Sequence, residues 1–133
     1  LLLSSAASDV YKRQAIRETE EETNLTISSN NLKKIWVLAR AITPVNRHMR
    51  FDTKFFVAPS SCFTGKVKGN GELDKLEYVN INDALKLPMF DITEFILKEI
   101  KVRIEKGNEI NSNPVFWRYR KHQRLITEIK KLD

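Results

Sequence analysis

Four glutamates stand within five positions near the start of the chain: Glu18, Glu20, Glu21 and Glu22. In a helix, at about 100° per residue, the first, third and fourth share one face, while Glu20 lies nearly opposite. Three carboxylates on one face repel one another and destabilise the helix unless a cation neutralises them. Carboxylate oxygens are the ligands that Mg²⁺ and Mn²⁺ prefer. The cluster is therefore either a cation-binding surface or a solvated acidic face.

The segment from Arg17 to Leu25 resembles the second half of the Nudix box, the signature of the Nudix hydrolase family. The family pattern is G-x5-E-x7-R-E-U-x-E-E-x-G-U, where U is aliphatic. Thr19 replaces one aliphatic residue, and Asn24 replaces the glycine, a mild change because Asn tolerates the left-handed helix cap. The first half of the box is absent, since its Gly and Glu would fall on Leu3 and Asp9. Five positions match the pattern as they stand: Arg17, Glu18, Glu21, Glu22 and Leu25.

This resemblance implies a Mg²⁺- or Mn²⁺-dependent hydrolase that cleaves a nucleoside diphosphate linked to another moiety. By the same resemblance, Glu21 and Glu22 are metal ligands and Glu18 is a ligand or the general base. Arg17 would orient the carboxylates, with an ordinary surface ion pair as the alternative. The ion would neutralise the diphosphate and lower the pKa of a bound water for attack on phosphorus.

Further candidate residues lie after the box. Many Nudix enzymes place an acid on a later loop as a base or extra ligand, and Glu72 is our candidate, with Asp74 and Glu77 as rivals. A solvated loop acid is the alternative for each of them. Three cations on the two central predicted strands could hold phosphates where they face the box helix, or could point to solvent on the alternate face: Arg40, Arg50 and Lys54.

The composition fits one globular domain of 133 residues with a net charge of +6, which favours anionic partners. Cys62 is the single cysteine, and His48 and His122 are far apart in sequence, so no Cys/His zinc site competes with the glutamates. No apolar run approaches the roughly 20 residues of a membrane span. We expect a cytoplasmic protein whose partner is a small-molecule nucleotide-type diphosphate, without a membrane partner. The sequence leaves open whether the protein forms a homodimer.

Residues 1–14, LLLSSAASDVYKRQ, resemble a translated sequencing-adaptor peptide. We interpret them as a non-native leader rather than as the tail of a signal peptide. Residues 15–133 would then form a Nudix domain truncated at its amino terminus, with a basic carboxy-terminal tail. In the family, strands before the box complete the sheet and the pocket. We therefore expect an open sheet edge and impaired hydrolysis in this chain.

Hydrophobic patterning predicts an α+β fold. Strands are predicted over residues 34–42, 49–58 and 76–81, with the first two as an antiparallel pair. The segment RFDTKFFVA, residues 50–58, is also similar to strands of Nudix enzymes. The resemblance implies a Nudix-type α/β/α sandwich around a mixed sheet, covering residues 15–107.

Two helices are predicted after the strands. Asn82 is expected to cap a short helix over residues 83–87. Asp91 and Glu94 have capping-box spacing at the start of a longer helix, which is expected to stop near Gly107. The apolar stripe of this longer helix predicts core packing, through Ile96, Ile100 and Ile104.

The tail over residues 115–124 interleaves aromatic and basic side chains: Phe116, Trp117 and Tyr119 with Arg118, Arg120, Lys121 and Arg124. Such interleaving suits single-stranded nucleic acid, but we favour aromatics packed on the domain with the cations outward. The end of the tail is predicted to be a short basic helix. Two alternatives to the enzyme are a non-catalytic Nudix-fold nucleotide-binding or regulatory module and, less favoured, a nucleic-acid-binding protein that uses the tail. The intact glutamates favour the enzyme.

Overall fold

The fold, taken from a computed structural model, is described over residues 2–3, 5–42, 52–68, 76–107, 113–120, 123–128 and 130–131. The α-helices in these ranges are α1 (Ser5–Thr23), α2 (Ile81–Ala84) and α3 (Asp91–Glu105), and short 3₁₀ helices cover Ser29–Lys34 and Ser60–Cys62. The strands are β1 (Leu2–Leu3), β2 (Thr26–Ile27), β3 (Trp36–Ile42), β4 (Asp52–Val57), β5 (Phe63–Thr64), β6 (Val115–Arg120), β7 (Gln123–Glu128) and β8 (Lys130–Lys131). This is the α+β class that the patterning predicts. No helix in the described ranges has both the length and the apolar character needed to cross a membrane.

The central sheet has four strands in the order β4-β3-β6-β7. Strands β3 and β4 are antiparallel, as predicted, and place Arg40 opposite Lys54. Strand β6 runs parallel to β3 and antiparallel to β7, so the sheet is mixed. Two smaller pairs, β1 with β8 and β2 with β5, lie outside this sheet.

Helix α3 covers one face of the central sheet. The buried cluster beneath it consists of Leu38, Ala39, Ile96 and Val115. The ring of Phe95 on α3 meets that of Trp117 on β6 edge to face, with 4.7 Å between centroids. Burying aliphatic side chains of this size contributes about 1.5–3 kcal/mol each, so this contact between α3 and the sheet is the main apolar core.

Helix α1 lies on the opposite face. Side chains alternate along β4: Phe55 and Val57 pack on the α3 cluster, whereas Phe56 packs on a second buried cluster that Ile16 of α1 also packs against. The sheet is therefore covered by α3 on one side and by α1, near β4, on the other. The cluster on the α1 side includes the buried Cys62.

The end of α1 is held by backbone contacts at the box asparagine. Asn24 has φ of 64°, the left-handed conformation expected of it, and its N–H donates to the Glu20 carbonyl at 2.9 Å. Its side-chain amide donates to the Lys66 carbonyl at 3.1 Å. Gly65, with φ of +99°, passes so close that a Cβ there would lie 2.7 Å from the Asn24 carbonyl oxygen. The loop after β5 thus packs directly against the carboxy-terminal end of α1.

The strand predicted over 76–81 is wrong. Residues 76–80 form neither a helix nor a strand and pair with no strand in the described ranges; residues 77–80 are exposed, and Tyr78 is 69% exposed. Strand propensity expresses the fit of a side chain to a half-buried pleated surface, and no such surface meets this segment. The segment instead leads into α2, where the Asn80 side chain accepts from the Asn82 N–H at 2.9 Å. The predicted cap was therefore two residues too late.

Helix α3 begins one residue earlier than predicted. Its N-cap is Phe90, because the Glu94 N–H donates to the Phe90 carbonyl at 3.1 Å. Asp91 is consequently the first helical residue, and its carboxylate accepts from the Ile92 N–H at 2.8 Å. Glu94 pairs with Lys98 at 3.0 Å instead of closing a capping box.

The other end of α3 follows the sequence more closely. The helix stops before Gly107, which has φ of +65°, as predicted. Ile96 is buried and Ile100 packs against the core. Ile104, the third residue of the predicted stripe, is 62% exposed because the cluster draws its α3 contacts from residues 92–100 only.

The tail forms a β-hairpin, so the predicted basic helix is wrong. Strands β6 and β7 pair from Val115–Glu128 to Arg120–Gln123. Strand β6 pairs with β3, and its Phe116 and Trp117 are only 6% and 3% exposed. These interactions stabilise the hairpin more than helix propensity, which is worth only tenths of a kcal/mol per residue, could stabilise a helix. The predicted packing of the aromatics is confirmed for these two rings. The side chain of Tyr119 lies outside the described part.

Candidate functional site

The box residues occupy the last two turns of α1 on its exposed side. Glu18, Glu21 and Glu22 are all exposed. The Arg17 Nε lies 3.8 Å from Glu21 Oε1, with the two side chains 69% and 65% exposed. A pair of this kind contributes less than about 1 kcal/mol to stability. Its structural effect is to hold the guanidinium beside the box carboxylates.

A cleft of about 350 Å³ opens between α1 and β4. Glu18 lines it, with the Gln14 amide donating to its Oε1 at 3.4 Å. Across the cleft stands Lys54, so two residues singled out in the sequence come together here. The full lining comprises Tyr11, Gln14, Ala15 and Glu18 from α1, and Asp52, Thr53, Lys54 and Phe56 from β4.

The ammonium of Lys54 lies 3.6 Å from the centre of the Tyr11 ring. Such a cation–π contact stabilises by about 0.5–2 kcal/mol but leaves the charge in place. Within the described residues Lys54 has no carboxylate partner within 4.0 Å. Sequence reasoning did not single out Tyr11, because this residue falls in the predicted leader. The boundary expected between residues 14 and 15 lies inside α1.

Arg40 binds a carboxylate that sequence reasoning did not single out. Its Nε donates to Asp52 Oδ1 at 2.8 Å, and its Nη2 donates to Oδ2. These hydrogen bonds raise the pKa of Arg40 above its usual value and lower the pKa of Asp52 below its own. Of the predicted phosphate-binding cations, Arg40 is therefore already neutralised and Lys54 is not.

Replacing Asp52 with Asn is expected to flatten the loss of stability in acid. Because the pKa of Asp52 is lower in the folded chain, its stabilisation is complete above its ordinary value of about 3.9 and is lost as the pH falls through the folded value. The side chain is 50% exposed, so the effect stays below about 1 kcal/mol. The free energy of unfolding in urea, determined at pH 7 and below pH 4 for both proteins, measures this effect. If both proteins lost the same free energy of unfolding between the two pH values, the contribution of Asp52 would be refuted.

The donor set on α1 fits Mg²⁺ in its chemistry. Within the described residues no three His, Cys, Asp or Glu side chains stand close enough to share one ion. Mg²⁺, however, is commonly bound by one or two carboxylates while substrate phosphates and waters complete its shell. In the observed arrangement, at most two of the exposed Glu18, Glu21 and Glu22 could therefore bind one ion, with phosphate oxygens and waters as its other ligands.

The other candidates do not join the cleft. Glu77 is exposed in the segment before α2 and is not part of the cleft lining. Six residues considered in the sequence lie outside the described part of the chain: His48, Arg50, Glu72, Asp74, Lys121 and His122.

Comparisons with known protein families, with curated proteins and with solved structures found no match to this chain.

Proposed function

We propose that this chain is part of a Nudix-type hydrolase that cleaves nucleoside diphosphates linked to another moiety. The observation that carries the proposal is the cleft that Glu18 of α1 and Lys54 of β4 both line. The match from Arg17 to Leu25, with a left-handed Asn24 at the position of the box glycine, supports it. The placement of α1 and α3 on opposite sides of a mixed sheet agrees with a Nudix-type sandwich.

Each residue of the site has a distinct task in this proposal. Glu21 and Glu22 would hold Mg²⁺, which when bound neutralises the diphosphate and supplies an activated water. Lys54 would donate to phosphate oxygens from the strand side of the cleft. Arg17 would orient the Glu21 carboxylate through its ion pair. Glu18, which lines the cleft, would accept a proton or bind the ion.

The competing interpretations differ in what they require of the same residues. A Nudix-fold binding module would hold the nucleotide without cleaving it and would not need the glutamates. A nucleic-acid-binding tail would need aromatic rings that bases can stack on. Phe116 and Trp117 are 6% and 3% exposed, so neither ring offers that surface.

Hydrolysis of a panel of nucleoside diphosphate derivatives tests the proposal. The assay compares Mg²⁺ with EDTA in this chain. We expect slow release of a phosphorylated product that requires Mg²⁺. A chain that binds one of the compounds but cleaves none would refute the hydrolase and support the binding module.

A further inference from the structure

Three cations share the sheet face that α1 lies on. Arg40 and Lys54 are directly opposed on β3 and β4, and Phe116 of β6 is the register partner of Arg40. Arg40 and Arg118 both place their guanidinium carbons over the Phe116 ring, 5.3 and 5.1 Å from its centre. Arg118 therefore belongs to the same face as Arg40 and Lys54.

This arrangement leaves positive charge uncompensated. Like charges directly opposite on neighbouring strands are destabilising. Asp52 forms an ion pair with Arg40, and the more distant charge of Lys54 also lowers the pKa of Asp52. Arg118 is exposed, and like Lys54 it has no carboxylate partner within 4.0 Å among the described residues. One carboxylate thus serves three cations on this face, and Lys54, one of the two without an ion pair, lines the cleft.

The Phe116 stack also prepares Arg118 for a ligand. A guanidinium held over an aromatic face loses less rotamer freedom when it binds, and its planar fork matches phosphate oxygens in pairs. Neighbouring strands lie about 4.8 Å apart, so β4 and β6 are separated by roughly 10 Å across the sheet. Arg118 also lies two residues, about 7 Å, along β6 from Phe116, which is in register with Arg40 and Lys54. The backbone positions of Lys54 and Arg118 are therefore about 12 Å apart, a width over which two long side chains can reach the same diphosphate.

We propose that Lys54 and Arg118 together form an anion site for the phosphoryl groups of a nucleotide-type ligand. The identity of the ligand rests on the proposed function, whereas the site itself rests on charge and geometry. It gives Arg118, otherwise an outward-facing residue of the tail, a direct role in substrate binding. The site would hold the part of the diphosphate that lies away from the box glutamates.

Calorimetric titration with inorganic pyrophosphate, in EDTA and without divalent metal, tests the site in the full chain. Arg118→Gln is expected to weaken binding about tenfold, the effect of one lost charge-assisted contact. Arg124→Gln is the matched control, because Arg124 is also exposed but lies over Trp117, 4.7 Å from its ring centre, on the α3 face. This control is expected to change the affinity less than twofold.

Equal weakening by both variants, or no weakening by either, would overturn the site, since net charge alone would then govern binding. Thermal unfolding curves check the fold, and Arg118→Lys, which keeps the charge, is expected to recover part of the affinity.

Two further outcomes separate this site from other functions. If a short oligothymidylate bound more tightly than pyrophosphate, and its binding were lost in Arg118→Gln, the site would be overturned in favour of a nucleic-acid surface. Pyrophosphate binding without turnover would support the site and refute hydrolysis, whereas turnover unaffected by Arg118→Gln would refute the site alone.

Discussion

Replacing Glu21 and Glu22 together with glutamine is expected to lower Mg²⁺-dependent hydrolysis by at least about 100-fold. The amide keeps the size of each side chain but removes the negative charge that a hard cation requires. Both side chains are exposed, so the fold should not change. Electron paramagnetic resonance during a Mn²⁺ titration, in the presence of pyrophosphate, measures the corresponding loss of metal affinity without turnover.

Glu20→Gln provides the control for this experiment. Glu20 lies on the same helix with the same exposed character, but helix geometry turns it nearly opposite to the other three glutamates. We expect it to retain full activity and Mn²⁺ affinity. If Glu20→Gln reduced both as strongly as the double variant, only the total charge of α1 would matter, and a specific metal site would be refuted.

Replacing Arg103 with Ala is expected to lower the free energy of unfolding by about 3 kcal/mol. Arg103 is 4% exposed, and its Nε donates to Glu99 Oε1 at 2.9 Å. Its Nη2 donates to the Asn113 carbonyl at 2.7 Å, which ties α3 to the chain entering β6. The alanine variant would leave the Glu99 carboxylate and the Asn113 carbonyl without these hydrogen bonds. In a chain of this size the melting temperature should fall by about 10 °C.

Thermal unfolding by circular dichroism measures this effect, with Lys101→Gln as the control. Lys101 also pairs along α3, 3.8 Å from Glu105, but its side chain is 35% exposed and its partner 62%. An exposed pair of this kind contributes about 0.5 kcal/mol or less. A loss for Arg103→Ala no larger than for Lys101→Gln would show that the tie to β6 is not stabilising.

The parts of the fold that follow from local rules were predictable. The antiparallel pair of β3 and β4, the left-handed Asn24 and the stop at Gly107 depend on residue type and short-range patterning. The strand predicted at 76–81 was wrong because a strand needs a partner strand, and the local sequence does not show whether one is present. The hairpin at the tail was not predicted because β6 forms by pairing with β3, which is distant in the sequence.

The candidate site divides in the same way. The sequence by itself determined that Glu18, Glu21 and Glu22 share one face of a helix, because the period of a helix is local. Only the tertiary structure decided that Glu18 and Lys54 line one cleft, that Arg40 is paired with Asp52, and that Arg118 and Arg40 lie over the same Phe116 ring. These contacts join α1, β3, β4 and β6, whose mutual positions come from long-range packing of the sheet and not from any spacing along the chain.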